Sequence, residues 1–246
     1  MSSGSHNIDP DIYQEQHFWG AQGNEEYFKK RRSAPESLYR SEKFFLPDIL
    51  RQVKTCLDIG CACGDFNAIM KSYHPGLRYT GVDIIPRFIE LAKAHYPDSD
   101  FYVSDGVHMD FPDRAFDLLH STGIIHLNSR YQDIFREMYR VADKYILCDF
   151  RLTQGPTVIG EMDVHINDAP NGAGCLPYYV LNIDDHLEFL RSLSPSPETI
   201  EIKGYLHPPT QAARIDTKEI YMAFFLIRKP VGAVTSKPEI HINLNA

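Results

Sequence analysis

Basic charge is thin in this sequence. Its largest cationic block is "KKRR" at residues 29–32, beside Glu25 and Glu26, and the 246-residue chain carries a net charge of −8. Proteins that grip nucleic acid tightly do so with clustered Lys and Arg against phosphates, so an acidic chain without a basic stripe argues against that class. Long apolar runs are missing too: nothing approaches the roughly 18 to 20 apolar residues of a membrane-spanning helix. The opening "MSSGSHNIDPDIYQEQ" lacks the charged start and apolar stretch of a secretory signal. Cysteine is sparse and odd in number: Cys56, Cys61, Cys63, Cys148 and Cys175 form no regular framework. That usage favours a reducing, cytoplasmic setting over a disulfide scaffold. Cys61 and Cys63 are spaced C-x-C, not C-x-x-C, and no set of Cys and His completes a four-ligand spacing, so no metal site is expected. Tryptophan occurs once, at Trp19.

What is present is an ordinary globular balance, 43% hydrophobic and 24% charged, enough for one sizeable core. Residues 24–32 and 35–53 read as helical, with Pro47 set to break the second. From residue 54 onward short apolar runs alternate with helical periodicity: "TCLDIG" then "DFNAIMKSY", "LRYTGVD" then "PRFIELAKAHY", "DFYVSD", "AFDLLHST" then "RYQDIFREMYRVA", and "KYILCDF". Such alternation is the mark of an α/β fold with a doubly wound, mostly parallel sheet covered by helices on both faces. Residues 151–181, rich in Gly, Pro, Asp and Asn, show no clear period and are expected to form a binding-side insertion. "NIDDHLEFLRSL" reads as a helix opened by Asn182, and "TIEIKGYLH" and "EIYMAFFLIRK" as closing strands. The expected organisation is an N-terminal helical extension (1–53), a core (54–230) and a surface tail (231–246).

The stretch "TCLDIGCACGDFNAIM" runs a strand into a turn of small residues and then a helix. Ligands of open α/β sheets bind at such carboxyl ends. Asp58, Gly60, Ala62 and Gly64 give D-x-G-x-A-x-G, whereas the dinucleotide fingerprint G-x-G-x-x-G would need glycine where Asp65 stands. A phosphate-binding Gly-Lys-Ser/Thr is absent. "LDIGCACG", "YTGVDII", "YVSDG" and "FDLLHSTGIIHL", in that order over residues 54–150, resemble the class I S-adenosylmethionine-dependent methyltransferases, of the small-molecule type. Ala62 departs from the family's fullest glycine pattern. The resemblance implies a seven-stranded Rossmann-like sheet and S-adenosyl-L-methionine as cofactor. It further implies Gly60, Ala62 and Gly64 beside the amino-acid tail and ribose, and Asp58 toward the ammonium. Asp83 would accept from the ribose hydroxyls, Asp105 and Gly106 would meet the adenine edge, Ile84 its face, and Ser121 the methyl side. Asp58 and Asp83 can equally cap the helices that follow them.

His126, just past the fourth core strand, is the candidate general base. Tyr13, Trp19, His165, Tyr178 and Tyr179 are candidate walls for a small-molecule acceptor, and Asp149 with Arg151 can orient a polar substrate or pair with each other. The availability of a histidine favours O-methylation over N-methylation. The competing readings are a nicotinamide-dependent oxidoreductase and a non-catalytic cofactor-binding partner protein.

Overall fold

The computed structural model describes residues 34–165, 173–232 and 237–245. The residues expected to form a helix at 24–32, together with Tyr13 and Trp19, lie outside that range. The strands are β1 (Thr55–Ile59), β2 (Arg78–Asp83), β3 (Asp100–Val103), β4 (Phe116–Ser121), β5 (Ala142–Thr153), β6 (Val158–His165), β7 (Ala173–Asn182), β8 (Thr199–His207), β9 (Ala213–Arg214), β10 (Ile220–Arg228) and β11 (Glu239–Asn243). The helices are α1 (Glu42–Leu50), α2 (Asp65–Tyr73), α3 (Pro86–His95), α4 (Tyr131–Val141) and α5 (Ile183–Arg191).

The main sheet runs β11-β8-β10-β5-β4-β1-β2-β3. β3, β2, β1, β4 and β5 are mutually parallel, and β10 lies antiparallel to both β5 and β8. Alternation along each strand feeds two cores. Leu57, Leu119, Ile146, Cys148 and Phe150 pack toward α4 and α5. Cys56, Leu118, Tyr145 and Leu147 pack toward α1, α2 and α3. Both faces are buried, which is why these strands read as continuous apolar runs.

α1 belongs to the second core through Phe45, Leu46, Ile49 and Leu50, all at most 5% exposed. Burial of such side chains is worth about 1.5–3 kcal/mol each. That sum explains why Pro47, expected to end the helix, lies inside it, although an interior proline costs about 3 kcal/mol. Upstream, the expected 35–53 helix is interrupted, with a separate 3-10 turn at Pro35–Ser37. Pro86 sits in the first turn of α3 and Asn182 caps α5, its side chain accepting from the Asp185 N–H at 2.9 Å.

Two regions depart from expectation. The stretch 151–181 holds the end of β5 and a β6–β7 antiparallel hairpin, with β9 along one side and β7 joining β5 at Leu152↔Leu181. Its alternation is interrupted by Gly160, Gly174 and Pro177. A Cβ on Gly160 would lie 2.5 Å from the Arg214 carbonyl oxygen, so the close approach of β9 requires glycine there. The second departure is in the tail, where β11 pairs parallel with β8 and extends the main path to eight strands instead of seven.

Candidate active site

The parallel strands end their carboxyl sides together, and the glycine turn follows β1 directly. Gly60 and Gly64 have φ of +72° and +85°, and Ala62 between them has φ of +46°. The turn is thus left-handed at three positions, which glycine adopts freely and alanine does at a cost. A Cβ at Gly64 would meet Phe101 at 2.9 Å, so its bareness also serves helix–sheet packing. Asp83, at the end of β2, is buried and accepts from the Ala62 N–H and the Ile85 N–H, both at 2.9 Å. Burial raises its pKa to about 6, against the lowering effect of those N–H donors. A carboxylate offers about four acceptor positions. Three backbone N–H groups, of Ala62, Ile84 and Ile85, draw on it here, which leaves part of that capacity for a ribose hydroxyl. Asp83 therefore both fixes the turn and keeps acceptors for a ligand.

At the end of β3, Asp105 accepts from the Val107 and His108 N–H groups at 2.9 and 3.2 Å through one oxygen. Its other oxygen has no partner among the described residues. Gly106 follows with φ of +77°, and Ile84 packs half-buried beside Ile85 and Phe88. These residues fit an adenosyl group: a diol acceptor, a polar edge and an apolar face on neighbouring strand ends.

Asp58 has a different setting from the one expected. One oxygen accepts from the Tyr79 hydroxyl and the other faces His120 Nδ1 at 2.7 Å. His120, on β4, lies with Nε2 at 3.3 Å from Glu42 of α1, and Thr122 donates to the same Glu42 oxygen at 3.1 Å. Burial works to discharge the imidazole, but Asp58 and Glu42 win and hold its pKa up at about 9. The cluster bolts α1 to β1 and β4 directly behind the glycine turn. Neither Glu42 nor His120 is singled out by sequence, because a helical acid and a strand histidine carry no spacing that links them. Ser121 is buried and spends its hydroxyl on the Ile59 carbonyl at 3.0 Å.

Past β4 and β5 a second group converges. His126 sits in a buried 3-10 turn, Ile125–Leu127, with its ring edge-on to Tyr178 of β7 at 5.2 Å. Asp149 accepts from the Gly123 N–H at 2.6 Å and forms a very short ion pair with Arg151. Although burial opposes its charge, Arg151 and His126 hold Asp149 below the usual carboxylate range. The structure thus brings together His126, Tyr178, Asp149 and Arg151. Tyr179 points to the other face of β7, against Tyr131 at 5.3 Å, because neighbouring strand residues alternate. His165 ends β6 opposite Ala173. Among the described residues, no cluster of three His, Cys, Asp or Glu can hold a metal ion, and Cys56, Cys61, Cys63 and Cys148 are buried free thiols.

Residues 57–145 match the family model described as a methyltransferase domain. Over that stretch, about a third of the chain, the protein is similar to methyltransferase domains. It is similar to a demethylmenaquinone methyltransferase of Thermotoga maritima, 33% identical over 63 residues, which cover 26% of this chain and 28% of that protein. It is also similar to trans-aconitate 2-methyltransferase of Escherichia coli, 28% identical over 86 residues, covering 35% of this chain and 34% of the relative. The match thus spans about a third of the length of these curated relatives. Among solved structures, a Burkholderia thailandensis 1,6-didemethyltoxoflavin-N1-methyltransferase superposes with TM-score 0.58 at 15% identity, covering 92% of this chain and 93% of the other. A Methanosarcina mazei S-adenosylmethionine-dependent methyltransferase gives TM-score 0.55 at 16% identity over 79% of this chain and 99% of the other. At these identities the structural likeness establishes the shared methyltransferase fold.

Proposed function

We propose that the protein transfers a methyl group from S-adenosyl-L-methionine to a small-molecule acceptor, with O-methylation favoured over N-methylation. The observation that carries this reading is the convergence at three adjacent strand ends: the left-handed turn after β1, the buried carboxylate of Asp83 and the Asp105–Gly106 corner. When bound, the cofactor supplies a sulfonium-activated methyl group with a thioether as leaving group. Asp83 accepts from the ribose hydroxyls, Asp105 and Gly106 meet the adenine edge, Ile84 covers its face, and the Gly60–Gly64 turn lies along the amino-acid part. Asp58 acts from behind, by fixing that turn through Tyr79 and His120. The Ser121 hydroxyl is likewise spent inside the protein and stiffens the floor of the site.

The acceptor side is the group around His126 and Tyr178. Holding the acceptor in line is worth up to about 7–11 kcal/mol. His126 takes the proton of a hydroxyl acceptor, an effect on the order of 100- to 10,000-fold. The β6–β7 hairpin, with His165 at the end of β6, forms the acceptor-side cover that excludes water. Four buried free thiols fit a reducing, cytoplasmic setting.

Isothermal calorimetry with S-adenosylmethionine, S-adenosylhomocysteine and NAD tests the reading directly. Micromolar binding of S-adenosylhomocysteine with no heat from NAD is expected. NAD binding without either sulfur compound would replace it with the oxidoreductase reading.

A further inference from the structure

Buried arginines are normally the most completely bonded in a protein, and here the order is reversed. Arg140, with 35% of its side chain exposed, uses every guanidinium nitrogen: Nε and Nη2 donate to Glu137, Nη1 to Asp113, and Nη2 also to the Met109 carbonyl. Arg151, with 6% exposed, makes a single-pronged contact from Nη1 to Asp149. Asp149 does not complete the fork: its other oxygen receives the Gly123 N–H. The phenol of Tyr178 lies against the guanidinium. The phenol of Tyr39 is also near enough to act on its charge, and among the described residues Asp149 is the one carboxylate that meets Arg151. A guanidinium carries five donors in a planar fork, and buried donors are as a rule satisfied.

We propose that Arg151 is the docking point for a carboxylate on the methyl acceptor, received between Arg151, Tyr178 and the His126 turn. The inference rests on the methyltransferase reading and names the substrate class of that site. A planar oxyanion matches the fork shape of a guanidinium in a way that a hydroxyl or amide does not. The charge balance selects a monoanion. Asp149 already offsets Arg151, so one added negative charge is matched by the sulfonium brought in with the cofactor, whereas a phosphate dianion would exceed it. The position fits as well: Arg151 stands near the end of β5, and Asp149 between it and Gly123 ties it to the loop that carries His126. Arg151 is thus a specificity-determining residue, with Asp149 setting its orientation.

The test follows the Arg151 Nε–Hε signal by NMR in protein saturated with S-adenosylmethionine, which carries the sulfonium. Formate and acetate are titrated against formamide, acetamide and inorganic phosphate. Formate is small enough that no mismatch of shape can hide the site. Saturable movement of the Arg151 signal with the carboxylates, none with the amides and weaker movement with phosphate is expected. Arg151→Lys, which keeps the charge but not the fork, should weaken formate binding about tenfold or more, and Tyr178→Phe should weaken it less. A silent Arg151 signal, equal responses to acids and amides, phosphate binding as tight as formate, or unchanged formate affinity in Arg151→Lys would each overturn the proposal. Failure to saturate with S-adenosylmethionine in the first place would instead strike the methyltransferase reading, so the two failures are distinct.

Discussion

Two clusters of buried charge stand toward the carboxyl ends of neighbouring parallel strands, one on β1 and β4 and the other on β5, and they are finished to different degrees. In Glu42–His120–Asp58 both imidazole nitrogens and both Asp58 oxygens meet partners inside the protein. In Asp149–Arg151 each oxygen of the acid meets one partner, whereas the guanidinium meets the acid through Nη1 alone. A closed cluster spends its interactions on shape, and breaking one member leaves charges stranded in the interior. An open cluster has interactions to give. The first therefore explains how α1 and the glycine turn are held in register, and the second marks where something from outside is received.

The largest effect that would sharpen this contrast comes from His120→Leu. Two buried carboxylates lose their shared cation, and the unfolding free energy should drop by about 3–5 kcal/mol. Urea denaturation with a midpoint close to wild type would show that the cluster is not the bolt described. The same histidine makes stability depend on pH. Its pKa is about 9 in the fold against 6.5 in the open chain, so its contribution is complete below about 6.5 and fades as pH rises through 9. On the order of 3 kcal/mol should be lost across that window in wild type, and the slope should flatten in the variant. A wild-type profile without that decline would break the assignment.

Asp83→Ala comes next, with an expected loss of about 1.5–3 kcal/mol in S-adenosylhomocysteine binding measured by calorimetry. Unchanged affinity would reduce Asp83 to a cap for the turn after β1. Protonation does the same thing reversibly. With a pKa of about 6, Asp83 is mostly ionised at neutral pH, and cofactor affinity should fall toward about tenfold per unit below that point. A flat affinity between neutral pH and 5 would separate Asp83 from the ligand. The smallest effect lies on the acceptor side. Asn182→Ala removes the cap of α5 and the Asn182 bond to the Gly155 carbonyl, and should cost about 1 kcal/mol in thermal unfolding. A loss several times larger would mean that the β6–β7 hairpin is welded to the core, not hinged on its base.

The same division decides what sequence alone could reveal. The strand-and-helix frame around the glycine turn was legible because its elements are local: each strand, turn and helix carries its own period and punctuation, and Gly60, Asp83 and Gly106 fall where those periods break. The acceptor half was legible only in part. His126 and Tyr178 were named separately, and their contact is made by a hairpin whose alternation is broken by Gly160 and Pro177. Glu42 and His120 escaped because their meeting is purely tertiary, across 78 positions of chain. Tyr178 and Tyr179, adjacent in the sequence, part in the structure because neighbouring strand residues point to opposite faces.

β11 carries one further consequence. It lies parallel on β8 and occupies the hydrogen-bonding border that β8 would otherwise present to solvent. Trimming the polypeptide shortly after residue 232 would bare that border, with Leu206 already half in water beside it, and invite strand-to-strand sticking between molecules. Anyone shortening this protein for crystallisation should leave those last residues in place.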